Sequence, residues 1–122
     1  MLVNIKILDF SHNSIMGIDD NTFVGINTSF LDLSYNNFRK MPNLALRKLK
    51  ALTTLVLDAN LFQSLENGCI HDIKVKFLSI SHCKFLDRLD QSSIGNLPHV
   101  ETITLNLAGA KLGSALAWLK LS

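Results

Sequence analysis

The sequence predicts an α/β-type repeat solenoid. Stacked units should form an arc with a short-strand parallel sheet on the concave face and loops, 3-10 turns or helical turns on the convex face. Two observations predict it. Apolar residues return in fixed columns every 23–25 residues, and each period contains an apolar-x-apolar step, the pattern of a short strand with one buried face. Eight such columns stay in phase through four copies, which random clustering of apolar residues does not produce.

The first unit places Ile5, Leu8, Phe10, Asn13 and Ile15 at spacings of 3, 2, 3 and 2. The second repeats the spacing with Thr28, Leu31, Leu33, Asn36 and Phe38, and the third with Leu52, Leu55, Leu57, Asn60 and Phe62. A fourth reads Val75, Leu78, Ile80, Cys83 and Phe85, and a fifth opens with Val100, Ile103 and Leu105. An apolar triplet follows each strand segment: Ile18/Phe23/Ile26, Met41/Leu46/Leu49, Leu65/Ile70/Ile73 and Leu89/Ile94/Leu97. Units start near residues 5, 28, 52, 75 and 100, and their lengths are 23, 24, 23 and 25. The extra residue of the longest is expected between Phe85 and Leu89, and Leu2 stands for the last apolar column of a preceding copy. Residues 1–107 are read as repeats. Residues 108–122, with Ala108 and Ala110 in the next columns, are read as a degenerate last repeat or a C-terminal tail.

Each residue type has a physical reason to recur. One repeat cannot bury its own inward face, so neighbours must stack and share a core. Their strands then pair in parallel at about 4.8 Å. The column Asn13, Asn36, Asn60 closes the turn after each strand, since a carboxamide donates and accepts where loop backbone would otherwise be buried unpaired. Cys83 fits the same column as a small, weakly polar residue.

Composition excludes several classes. The chain has 122 residues, 48% hydrophobic and 18% charged, with a net charge of +2. That is a foldable domain with no clustered basic stripe for nucleic acid. No stretch is apolar enough to span a membrane, and the N-terminus lacks a secretory signal. No phosphate-binding glycine loop, H-E-x-x-H or G-x-S-x-G occurs, so no enzyme, cofactor or metal is expected. Cys69-x-His71 and His82-Cys83 read poorly as metal or nucleophile pairs. A zinc site needs four converging ligands, and the two cysteines belong to opposite sides of the arc, which also argues against a disulfide between them.

The columns carry the consensus L-x-x-L-x-L-x-x-N/C-x-L, and the chain resembles the leucine-rich repeat proteins. Unit length and the Phe of the convex half resemble the "typical" class, found in Toll and Toll-like receptor ectodomains, Slit-like proteins and insect adhesion proteins such as chaoptin. Leu31-Asp32-Leu33-Ser34-Tyr35-Asn36 and the run Leu52 to Asn60 carry the likeness most clearly. It implies an extracellular or cell-surface ectodomain whose partner is a protein ligand or receptor, with a homodimer as an option. Cysteine-rich caps usual in that class are absent here, so the expectation is a fragment of a longer ectodomain with sticky open ends. The alternatives are spacer repeats without ligand contact and intracellular scaffold repeats, the latter disfavoured by the Phe23-x-x-Ile26 type of convex segment. Asn27-Thr28-Ser29 is a glycosylation sequon.

Partners of such solenoids are expected on the outward residues of the concave strands, which the core does not constrain. Candidates are Asp9, Asp32 and Asp58 as a modest acidic patch, His12, Tyr35 and His82 at the strand ends, and Phe30 with Phe77 in one column two repeats apart. Neighbouring Ser11, Ser34, Ser79 and Ser81 are also expected to face outward.

Overall fold

A computed structural model describes residues 2–65, 69–94, 97 and 99–106. It is a parallel solenoid of about four turns. Nine short strands are present among the described residues: β1 (Val3–Asn4), β2 (Ile7–Asp9), β3 (Ile26–Asn27), β4 (Phe30–Asp32), β5 (Thr54–Val56), β6 (Ser64–Leu65), β7 (Phe77–Ser79), β8 (Arg88–Leu89) and β9 (Thr102–Thr104). Two four-residue helices, α1 (Asn43–Leu46) and α2 (Gln91–Ile94), lie in the return segments. One five-stranded parallel sheet runs β2-β4-β5-β7-β9, and two-stranded ladders β1-β3 and β6-β8 flank it.

Register follows the sequence period. Leu8, Leu31, Leu55, Leu78 and Ile103 pair in succession, one per repeat. Period-2 alternation sends these inward and leaves their neighbours on the concave surface. Leu31, Leu33, Leu55, Leu57, Leu78 and Ile80 are fully or almost fully buried, and Phe23, Leu46, Leu49, Leu65, Ile70, Ile73, Leu89 and Leu97 bring the convex half into the same core. Each contributes about 1.5–3 kcal/mol of burial. Thr28 sits in this interior because its hydroxyl donates to the Phe30 and Lys6 carbonyls.

The asparagine column closes each strand and reaches into the repeat before it. Asn36 Nδ2 donates to its own repeat at Leu33 O and Ser34 O and to the preceding one at Phe10 O, while its Oδ1 accepts from the amides of Asn13 and Ile15. Asn60 repeats the arrangement, donating to Leu57 O and Leu33 O and accepting from the Phe38 amide at 3.1 Å. Cys83 holds the same place, its thiol 3.9 Å from Leu57 O.

Two sequence assignments shift by one residue. In the fourth unit Leu86 is fully buried and Phe85 is 54% exposed, so Leu86 fills the column held elsewhere by Phe38 and Phe62. The extra residue therefore lies between Cys83 and Leu86, directly after the thiol, and the spacing from Leu86 to Leu89 returns to the ordinary three. At the first unit Val3, not Leu2, occupies the convex column, because Val3 pairs with Ile26. Leu2, Val3, Phe10, Met16 and Val24 are exposed in this first unit. Residues 107–122, with Ala108, Ala110 and the proposed tail, lie outside the described residues, as does the Ile94 side chain.

The corrected register carries a consequence for stability. Leu86→Ala should cost about 2–5 kcal/mol in urea unfolding, the range for emptying a core leucine. Phe85→Ala should stay within about 1 kcal/mol, as for an exposed position.

Candidate functional site

The concave sheet presents two columns of outward side chains in register across its five strands. In the first, Ile7, Phe30, Thr54, Phe77 and Thr102 follow one another across the strands. Phe30 and Phe77 thus share a column, as the spacing predicts, with Thr54 between them. Ile7 (58% exposed) lies beside Phe30, and Phe77 is 42% exposed. Ile7 extends the apolar stripe beyond the two phenylalanines and carries the same alternation signal as they do, but an isoleucine does not stand out among so many core isoleucines.

The second column begins with Asp9 against Asp32 and continues with Val56, Ser79 and Thr104. Both aspartates are drawn back onto the strand end. Asp9 Oδ1 accepts from the Ser11 amide at 2.9 Å and its hydroxyl at 2.6 Å, and Asp32 holds Ser34 with the same two distances. Asp58 does this for the next repeat instead. Its Oδ1 accepts from Ser79 Oγ at 2.7 Å and the Ser81 amide at 2.8 Å. Repeat four has Ser79 where Asp9 and Asp32 stand, and the carboxylate it lacks comes from its neighbour. Asp9, Asp32 and Asp58 are therefore turn-closing groups with one oxygen committed, and the acidic patch is weaker than their number implies.

The structure overturns the outward placement expected for Ser34 and Ser81, while Ser11 and Ser79 stay partly exposed. Ser34 is 6% exposed and Ser81 3%, because both sit folded into the turns they close. Ser81 Oγ further bonds Thr104 O and accepts from the Asn106 amide.

At the sheet rim stands a column of left-handed residues: His12 (φ 61°), Tyr35 (φ 55°), Ala59 (φ 53°) and His82 (φ 58°). Each amide donates across to the next repeat, to Ser34 O, Asp58 O, Ser81 O and Asn106 O. A non-glycine residue in this region costs about 1–2 kcal/mol, and the cross-repeat bonds together with the asparagine column hold it there. The geometry swings the four side chains onto the rim. His12 and Tyr35 stack with ring centroids 4.3 Å apart and planes 12° from parallel. His82 stands one rung beyond Ala59. A groove of about 670 Å³ runs past these residues and is lined further by Asn37, Leu61 and Lys84. Lys84 had no signal in the repeat pattern, because it belongs to the irregular insertion of unit four.

The remaining candidates lie elsewhere. Asn27 is half-buried and donates one Nδ2 hydrogen to Asn4 Oδ1 at 2.9 Å. Cys69 and Cys83 are both free thiols. Burial, with a smaller push from the Asp58 charge, raises the Cys83 thiol above its ordinary value of 9.0, which keeps it protonated and unreactive. Among the described residues no cluster of His, Cys, Asp and Glu could hold a metal ion, and no helix is long and apolar enough to cross a membrane.

Asp9 gives this site a pH signature. The Ser11 hydroxyl, then the Ser11 amide, hold its carboxyl below the ordinary 3.8. A depressed folded value stabilises the fold above the unfolded value and loses that contribution as pH falls through the folded one. In carboxyl NMR titration Asp9 should titrate below 3.8, and Ser11→Ala should move it upward toward that value.

Comparison with known proteins gives three findings. Two family models described as leucine rich repeat match, one over residues 4–26 and the other over residues 26–85. An adenylate cyclase of Schizosaccharomyces pombe is 33% identical over 103 residues, covering 84% of this chain and 6% of that protein. The chain thus spans about 6% of the length of the curated relative it matches. No solved structure matches the chain.

Proposed function

The chain belongs to the leucine-rich repeat family, and we propose that it is a protein-binding module that takes its partner on the concave sheet. Repeats of this family are in general protein-interaction modules. One observation carries the assignment to this face: the column Ile7, Phe30, Thr54 and Phe77 keeps large apolar side chains outward where the core does not require them. Aromatic residues on a rigid surface are the usual anchors of protein interfaces, and a five-stranded sheet holds these without a large ordering cost. Beside them lies the His12–Tyr35 stack, and the committed carboxylates of Asp9 and Asp32 leave a polar margin.

Two settings have support. Unit lengths of 23–25 residues and the Phe23-x-x-Ile26 convex segment favour a cell-surface receptor or adhesion ectodomain, in which Asn27 would be the glycan acceptor. The likeness to part of an adenylate cyclase favours repeats that serve as the partner-binding segment of a larger, different protein, including an intracellular one. Protease treatment of intact cells separates these settings, since only a surface segment is cut.

Phe30→Ala combined with Phe77→Ala should weaken binding of a partner isolated with the chain by about 30-fold or more, the scale of a lost hot spot. Urea midpoints should hardly move, because both side chains are partly exposed. Unchanged affinity, together with loss on Leu44→Ser at the exposed convex helix, would assign binding to the other face.

A further inference from the structure

The rim column contains a vacant ring position. His12, Tyr35, Ala59 and His82 occupy consecutive rungs, each in the same left-handed conformation and each bonded by its amide to the next repeat. Three carry planar rings and the third rung carries a methyl group. Rungs are spaced by roughly 4.8 Å, so Tyr35 and His82 stand about two spacings apart with Ala59 between them. The observed stacking distance between His12 and Tyr35 is 4.3 Å. Two stacking steps of that size fit within the gap, so one planar group laid on Ala59 would touch Tyr35 on one side and His82 on the other.

We propose that this gap is a slot for a single aromatic side chain of a protein partner, flanked in that partner by acidic residues. The proposal rests on the concave-side binding reading and names what one position of that surface takes. Stacking selects the aromatic ring: an offset or parallel ring pair contributes beyond the area it buries, and here the guest completes a four-layer array. Charge selects its neighbours. Among the residues lining the groove, Lys84 is the one with a permanent charge. The carboxylates of Asp32 and Asp58 lie outside that lining, each with one oxygen held by serines, Asp32 by Ser34 and Asp58 by Ser79 and Ser81. A guanidinium would stack as well as a ring but would meet Lys84, and no acid lines the groove. Leu61, the Ala59 methyl and Asn37 also line the groove, a mix of apolar and polar groups that suits tryptophan or tyrosine.

The test uses the full chain and blocked tripeptides as probes, followed by NMR. Glu-Trp-Glu should shift the Ala59 methyl and the Tyr35 and His82 ring signals upfield in a saturable way, and Glu-Leu-Glu should leave them unmoved. Ala59→His should fill the slot with the protein's own ring and weaken Glu-Trp-Glu binding by about tenfold or more. Its fold should persist, because His12 and His82 already occupy that backbone conformation. Tyr35→Ala should weaken the same probe, and Lys84→Glu should reverse the preference for Glu-Trp-Glu over Lys-Trp-Lys. The Phe30→Ala, Phe77→Ala chain keeps the slot and should bind the tripeptide like the parent, so failure of the slot and failure of the sheet-face reading give different results. No saturable shift in the parent, equal shifts with Glu-Leu-Glu, undiminished binding by Ala59→His, or a parent preference for Lys-Trp-Lys overturns the proposal.

Discussion

An asparagine carboxamide offers two donors and an acceptor on one short arm, and Asn36 and Asn60 use all of them at the seam between repeats. Their amide hydrogens are shared between carbonyls of their own turn and a carbonyl of the repeat before, and their oxygens take backbone amides of that preceding repeat. Both side chains are 2% exposed, so none of these groups could turn to water instead. An unpaired buried partner costs about 1–3 kcal/mol, and losing one carboxamide orphans several at once. Apolar columns supply more total free energy, but burial is non-directional. The carboxamide fixes where one repeat sits on the next.

Surface chemistry follows from that seam. Turns held by the asparagine column place the preceding residue in the left-handed region, and this aims His12, Tyr35, Ala59 and His82 at the rim. Carboxylate–serine turns then tighten the strand ends, with Asp58 serving the repeat after its own because Ser79 replaces the local aspartate. What remains for a partner is what the turns do not consume: the apolar stripe around Phe30 and Phe77, the rim rings and Lys84. The candidate surface is thus a remainder left by structural demands, and its aspartates enter it with one oxygen already held by a turn.

The sequence reveals the fold almost in full because the fold is periodic. Strand register, the buried columns and the two-sided arc all follow from spacings that recur four times, and the structure pairs strands at those same spacings. Legibility fails where the period breaks. Phe85 and Leu86 are both apolar, so spacing from Cys83 alone selects the wrong one, while the distance back from Leu89 selects the buried one. Alternation misplaces Ser34 and Ser81, since it reports which way a Cβ points and not where a hydroxyl bonds: back onto Asp32 for Ser34, across to Thr104 O for Ser81. The pairing of His12 with Tyr35 was visible as adjacency of rungs, but the open rung at Ala59 had no signal, because an alanine there looks like any small surface residue.

Amide hydrogen exchange of Asn60→Ala against the parent chain tests the seam most directly. The Phe38 amide, which donates to Asn60 Oδ1, should lose protection selectively, with the Leu61 amide, which donates to Phe38 O, following as repeats two and three separate. Amides of the β2–β4 pairing, one seam away, should keep more of theirs. If Phe38 stayed as protected as in the parent, the carboxamide would not be what sets one repeat on the next, and apolar packing alone would have to account for the register.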